Sequence, residues 1–261
     1  MLKTYLRLVS ISLLTLIGMT SLNAQIKERL PCVDKTFSVA VHVVIDSLQN
    51  PNLDMQDVYD NFEMLNELFD PICVDFEICE EYLIENWWYD EHSQQNHWEE
   101  KQVLYNRPNR INVYYVIDIL DPGGMAGYAT LGGITQLESG GIVLDKENDF
   151  RTLAHEMGHY FGLSHTFEGS GIELVNGDNC EAVADLICDT PADPYDSSQP
   201  VENYVNEDCE FIFMGQDANG EYYNPLVGNI MSYYPADCDC GFTHGQYKFM
   251  AETYLSGIGM W

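Results

Sequence analysis

The stretch His155-Glu156-Met157-Gly158-His159-Tyr160-Phe161-Gly162-Leu163-Ser164-His165 decides how this chain is read. It has the form H-E-x-x-H-x-x-G-x-x-H. On a helix, His155 and His159 stand at i and i+4, so both imidazoles project from one face. Glu156 lies beside the first histidine, where its carboxylate reaches a metal-bound water without taking a coordination position. Gly162 permits a backbone with φ > 0, which lets the chain leave the helix sharply. The turn after it returns His165 as a third nitrogen ligand. Three protein ligands leave a fourth position for water, the arrangement of a catalytic zinc site rather than a structural one.

The beginning of the chain reads as a targeting segment. Lys3 and Arg7 precede an apolar stretch from Leu8 to Met19, and Leu22-Asn23-Ala24 offers a small residue for cleavage before Gln25. Residues 1–24 are therefore expected to be a signal peptide and the protein to be secreted or extracytoplasmic. No later segment has the length to cross a bilayer, so no membrane insertion is expected after cleavage. Loss of Lys3 and Arg7 takes the formal charge from −31 to −33. Such a surface repels nucleic acid and anionic membranes, and it suits cationic peptides, calcium or solubility alone. The eight cysteines are Cys32, Cys73, Cys79, Cys180, Cys188, Cys209, Cys238 and Cys240. An even number in an exported chain points to disulfides, with the pairing left open. Five of the eight follow the histidine motif, so residues 170–240 are expected to be loop-rich and covalently stapled.

Residues 25–36 are polar and read as an N-terminal arm. Phe37–Ile45 carries Val39, Val41 and Val43 at alternate positions, a strand pattern. Asp54 caps a helix to about Phe69, in which Val58, Phe62, Leu65 and Phe69 form a core stripe. A second strand is expected between Cys73 and Cys79 and a third from Ile111 to Ile119. Residues 81–109 read as a long excursion. The Gly-rich segment from Asp121 contains Gly127-Tyr128-Ala129, and a short strand from Gly141 to Leu144 leads into the histidine helix at about 149–162. Strand, helix, three strands and an active-site helix make an α/β order. Thr243-His244-Gly245-Gln246 is a T-x-x-Q capping box, and Tyr247, Met250, Ala251 and Tyr254 continue a helix that closes before Gly257.

A three-imidazole site needs a floor that holds its ligands, and Asn229-Ile230-Met231-Ser232-Tyr233 offers one. The long histidine motif followed by a methionine turn resembles the metzincin metallopeptidases. Leu153-Ala154, His165-Thr166-Phe167, Cys188-Asp189-Thr190-Pro191 and Phe242-Thr243-His244-Gly245-Gln246 with Met250 narrow the resemblance to the pappalysin (ulilysin-like) family. It covers about residues 37 to 255. The implied fold is a metzincin-type zincin, α/β (α+β): a twisted mixed sheet with an active-site helix, then a loop-rich, disulfide-tied C-terminal lobe ending in a helix. Residues 37–261 would be the catalytic domain, with an upper lobe to about 162 and a lower lobe beyond.

The resemblance also implies roles. Zn2+ would sit on His155, His159 and His165, with Glu156 as general base toward a zinc-activated water. Met231 would pack beneath the metal without binding it, and Tyr233 would donate a hydrogen bond to the oxyanion. Gly127-Tyr128-Ala129 reads either as the edge strand to which an extended peptide adds or as a Gly-rich turn. Asp237 falls on the S1′ wall, where a carboxylate favours Arg or Lys after the cut. Asp178, Asp185, Asp189 and Thr190 would supply calcium oxygens. The chain departs from the family in its Cys238-x-Cys240 pair, where one cysteine is expected. Cys32 is open to two fates, a disulfide or a thiolate that blocks the zinc. The reading is thus a secreted zinc endopeptidase acting on peptides or proteins. A non-catalytic metal-stabilised adhesion module and a zinc hydrolase of cell-wall amides are the alternatives.

Overall fold

The alternating valines of the first strand and the histidine helix are joined through one five-stranded sheet. The computed structural model describes residues 28–120, 125–136 and 138–257. The expected signal peptide and Asp121–Gly124 lie outside the described residues. β1 (Lys35–Val44) is followed by α1 (Met55–Phe69), whose N-cap Asp54 accepts from Gln56 N. β2 (Val74–Ile84) then pairs parallel with β1. A helix between two parallel neighbours is the crossover that such pairing requires. The remaining elements are β3 (Glu91–His92), α2 (Gln94–Tyr105), β4 (Ile111–Val116), β5 (Asp118–Ile119), β6 (Gly127–Ala129) and β7 (Ile142–Asp145). They lead to α3 (Phe150–Tyr160), which carries the first two histidines, and the last helix is α4 (His244–Ser256).

The main sheet has the order β2-β1-β4-β7-β6. Its first four strands are parallel, and β6 runs antiparallel along the β7 edge. From Val39 to Val44, β1 is buried, because both faces of the sheet are covered. On one face Val39, Val41, Val113 and Leu144 pack with Phe62, Leu65 and Phe69 of α1, Leu153 and Met157 of α3, and Met250 of α4. On the other, Val44, Tyr114, Val116 and Tyr128 pack with Trp98 of α2.

Three local expectations change. The second strand does not stop at Cys79. It bulges there, the partner of Val39 being Ile78 and that of Ala40 being Glu80, and continues to Ile84. The third strand breaks at Ile117, whose N–H is taken by the Asp90 carboxylate and carbonyl, at 2.9 and 3.0 Å. Within the 81–109 excursion lies α2, which has no apolar stripe and buries His97 and Lys101 instead. Beyond Gly162 the chain is irregular, with short 3-10 turns at Val201–Asn203 and Ala236–Cys238, until α4 begins. Cys180–Cys188 and Cys209–Cys238 staple this region, as its composition suggested. Cys32 pairs with Cys73 and ties the arm to the start of β2, which removes the blocking-thiolate alternative. Cys79 and Cys240 are exposed free thiols.

Lys101 is fully buried, its ammonium nitrogen without a hydrogen-bond partner and 4.8 Å above the Tyr114 ring. Burial pulls its pKa down to about 7. Between about pH 7 and 10.5 the unfolded chain therefore binds more protons than the folded one at this position. Stability from this residue rises with pH across that window and is lowest below it. Lys101→Met is expected to stabilise the fold at pH 7 by about 1–3 kcal/mol, the cost of an unpaired buried polar group. Urea melts of both chains from pH 6 to 10 check this, and the gap between them must close as the pH rises.

Candidate active site

α3 starts at Asp149, whose carboxylate caps it by accepting from Thr152 N at 2.9 Å. The helix projects His155 and His159 from one face, and Gly162, at φ +99°, turns the chain back as expected. His165 then brings its Nε2 to 3.1 Å from that of His155 and 3.0 Å from that of His159. Among the described residues these three are the one group of three His, Cys, Asp or Glu side chains whose ligand atoms converge.

The donor set fits a divalent metal. His155 Nδ1 donates to Ile230 O at 2.7 Å and His159 Nδ1 to Leu163 O at 2.6 Å. Each bond puts the ring proton on Nδ1 and leaves the Nε2 lone pair for a metal. Burial, together with the neighbouring imidazoles, holds His155 far below the usual histidine range and His165 at about 3. All three rings are thus neutral at ordinary pH, the form that ligates. Three nitrogen lone pairs about 3 Å apart repel one another unless a cation lies between them.

Glu156 is buried, and its Oε2 has no hydrogen-bond partner. Desolvation pushes its pKa up to about 8. It lines a pocket of about 220 Å³ with His155, Gly127, Arg151, Thr152 and Tyr233. Tyr233 is 42% exposed, its ring centroid 5.5 Å from that of His155 and 4.7 Å from that of His165. Burial and the Glu156 carboxylate raise its pKa, so its hydroxyl keeps its proton.

Met231 is fully buried, and a Cβ at Gly158 would meet its Sδ at 2.5 Å. Glycine inside α3 therefore has a packing reason: it lets the methionine lie against the helix that bears two ligands. The turn itself is held by side-chain amides. Asn229 Oδ1 accepts from Met231 N at 2.9 Å, and Asn229 Nδ2 donates to Gln246 Oε1 at 2.8 Å. Gln246 also closes the α4 capping box, so one buried residue joins helix start and methionine turn. A second brace is Asp193, which accepts from Thr166 Oγ1 and Tyr234 OH, each at 2.7 Å. Arg151 spans the same turn, bonding both Asp239 oxygens at 2.9 Å and Ser232 O at 2.9 Å.

Gly127-Tyr128-Ala129 is β6, an edge strand rather than a turn. A Cβ at Gly127 would lie 3.0 Å from Glu156 Cγ, so the strand runs directly over the catalytic helix. Behind it Tyr128 is hydrogen-bonded to the buried His92 and packed edge-on by Trp98. Asp237 does not line the pocket beside Glu156; it borders an adjoining groove together with Arg151 and Asp239. The four oxygen residues named for calcium divide into separate contacts. Thr190 Oγ1 lies 2.9 Å from both Asp185 oxygens, Asp189 caps α4 through Thr243 Oγ1 and Gly245 N at 2.7 Å, and Asp178 bonds Asn176. Sequence reasoning missed Arg151, Asp239, Asp193, Gly158 and His92. Only Gly158 had a local signal, a glycine in mid-helix, where it otherwise costs about 1 kcal/mol.

A mixed sheet with a helix bearing two histidines, a third after a glycine turn, and a methionine turn beneath them defines a metzincin-type metallopeptidase fold. Residues 90–254 match the model of peptidase family M43, described as pregnancy-associated plasma protein-A, and the chain belongs to this pappalysin family. It is 31% identical over 160 residues to an extracellular metalloprotease of Pyricularia oryzae, covering 55% of this chain and 48% of the relative. It is 34% identical over 103 residues to one of Colletotrichum graminicola, covering 34% of this chain and 32% of the relative. The chain thus spans less than half the length of either. Among solved structures, mature mirolysin of Tannerella forsythia, in complex with a cleaved peptide, matches with a TM-score of 0.57. That likeness covers 82% of this chain and 89% of mirolysin at 20% identity, and it bears on the fold.

Gly158→Ala is expected to force Met231 from its seat and lower zinc content from near one per chain, despite alanine's better helix propensity. Zinc measured by elemental analysis after dialysis checks this; full occupancy with an unchanged melting temperature would refute the packing role.

Proposed function

We propose that this protein is a secreted zinc endopeptidase, and the convergence of three Nε2 atoms beside the unpartnered Glu156 carboxylate carries the reading. His155, His159 and His165 would hold the zinc, which when bound supplies Lewis-acid chemistry, acidifying water and polarising a carbonyl. Glu156 takes the proton from the water that attacks the scissile carbonyl and passes it to the leaving amine. Its burial beside His155, with Oε2 free of hydrogen-bond partners, leaves that oxygen available to hold the proton in transit. Tyr233, protonated and at the rim of the same pocket, donates to the oxyanion. An extended substrate adds to the outer edge of β6, above Glu156, by main-chain hydrogen bonds. Secretion is supported by the three disulfides and by the relatives' description as extracellular. Among the described residues no helix is long and apolar enough to cross a membrane. No step of this reading depends on calcium at Asp178, Asp185, Asp189 and Thr190.

A preference for Arg or Lys at P1′ is the finer part of the proposal. Asp239 is committed to Arg151 and Asp149 to the start of α3, which leaves Asp237 as the carboxylate in the adjoining groove that a basic side chain would meet.

Glu156→Ala removes the base without touching a ligand, so it is expected to retain zinc and lose peptidase activity by about three orders of magnitude or more. Casein cleavage measured beside zinc content decides this; turnover near the parent level would sink the mechanism. Asp237→Ala is expected to flatten any preference for Arg or Lys after the cut. Cleavage-site mapping on a peptide library tests it, and an unchanged profile would remove Asp237 from specificity.

A further inference from the structure

Away from the catalytic cleft lies a pocket of about 520 Å³. Two indoles stand at it, Trp87 at 56% and Trp88 at 61% exposure. Exposed tryptophans on a loose loop would mean little, but this turn is fixed. Asn86 accepts from Trp88 N, and Trp87 O accepts from Asp90 N at 3.0 Å. Tyr89 and Asp90, the next two residues, are buried, and Asp90 is tied to Lys146 at 2.7 Å. The Trp88 ring is further set against His97, centroid to centroid at 5.7 Å. Two rigidly held, wet aromatic faces beside a cavity form a surface suited to an apolar or C–H-rich ligand face.

The polar lining narrows the ligand. No Lys or Arg lines the pocket and three carboxylates do, which excludes phosphate, sulfate and uronate groups. Two of those carboxylates are already committed. Asp46 accepts from Leu48 N, Asn50 N and the Asn52 amide, and Asp90 holds Lys146. Only Glu91 is left uncommitted, too little for a site built around a cation. What remains is a mixture of donors and acceptors. Ser93 N donates to His97 Nδ1 at 3.2 Å, so the ring proton of His97 sits on Nε2. Burial and Lys101 lower its pKa, so that donor is neutral. Asn96 and Asn52 add amides that both donate and accept. Neutral hydroxyls in pairs, with a C–H face beside them, match this lining.

We infer that the Trp87–Trp88 pocket binds a neutral pyranose ring, presented by a glycan on the protein being cut. The second half rests on the proposed peptidase function; the sugar site does not. Placement supports the link. Ile117 and Leu120 border the Trp pocket, while Asp118 between them borders a groove shared with Met125, Ala126 and Thr152. Those last three residues also line the pocket beside Glu156. Ile117, Asp118 and Leu120 thus put the Trp pocket and the groove beside the Glu156 pocket on one short segment of chain.

The test titrates the full chain carrying Glu156→Ala with maltose, lactose, cellobiose, mannobiose and chitobiose, following intrinsic tryptophan fluorescence and ligand-observed NMR. Saturable binding of at least one disaccharide is expected, weakened about tenfold or more by Trp87→Ala or Trp88→Ala through lost stacking. Trilysine should not displace the sugar. In the chain with Glu156 intact, Trp88→Ala should leave cleavage of an unglycosylated peptide unchanged while slowing cleavage of the glycosylated form. Should a Trp variant unfold, Asn96→Ala, which removes one of the exposed lining amides, carries the same expectation of weakened sugar binding. Absence of saturation with every sugar, binding indifferent to both Trp variants, or displacement by trilysine would overturn the proposal. An inactive parent chain that still binds sugar would count against the peptidase reading and for the site.

Discussion

Three neutral imidazoles held with their Nε2 lone pairs facing one another are the constraint on which this structure depends. Lone pairs facing one another so closely repel, so the arrangement needs support from its surroundings. It stands because two of the rings are pinned from behind by the Ile230 and Leu163 carbonyls, and because the turn under them cannot move. Asn229 and Gln246 join that turn to α4, Asp193 joins it to Thr166, and Arg151 joins it to α3. Each brace lies outside the motif, and each is buried or partly so. Effort that a metal site demands of its surroundings is here distributed over the whole second half of the chain.

The sheet contributes a different service. Its parallel strands place α3 beneath the β7 edge, and β6 closes that edge in the opposite direction. The outer side of β6 then lies next to Glu156, with Gly127 small enough to allow the approach. His92 and Trp98 back the strand from the other face through Tyr128. The polar helix α2 is thus the support of the edge strand, and its buried Lys101 and His97 belong, with His92 of β3, to that supporting layer.

Elements with a local pattern were legible in the sequence. The valine alternation of β1, the stripe of α1, the Asp54 cap and the capping box of α4 each depend on residues within a few positions of one another. The histidine motif belongs with them, since i, i+4 and a glycine turn are local geometry. α2 was not legible, because its face toward the sheet is polar and no hydrophobic period marks it. The Ile111–Ile119 run looked continuous, because the side chain that breaks it, Asp90, is distant in sequence. For the same reason Arg151 with Asp239, and Asp193 with Tyr234, left no trace: a pair 88 or 41 residues apart has no spacing to recognise. Asp237 was placed on the S1′ wall by the family resemblance, and the 3-10 turn Ala236–Cys238 sets it on a groove to one side.

The bond from His155 to Ile230 spans 75 residues of chain, and the intervening stretch is irregular and disulfide-tied. Contacts of such separation form late, after the local helices and the early strands have settled. The ring of His155 therefore acquires its tautomer and direction only when the last hundred or so residues have been synthesised, oxidised and docked. A chain ending before Ile230 would carry the whole histidine motif yet lack the carbonyl that aims it. Timing is written into the topology: the three-histidine centre is complete only once the C-terminal half of the chain is in place.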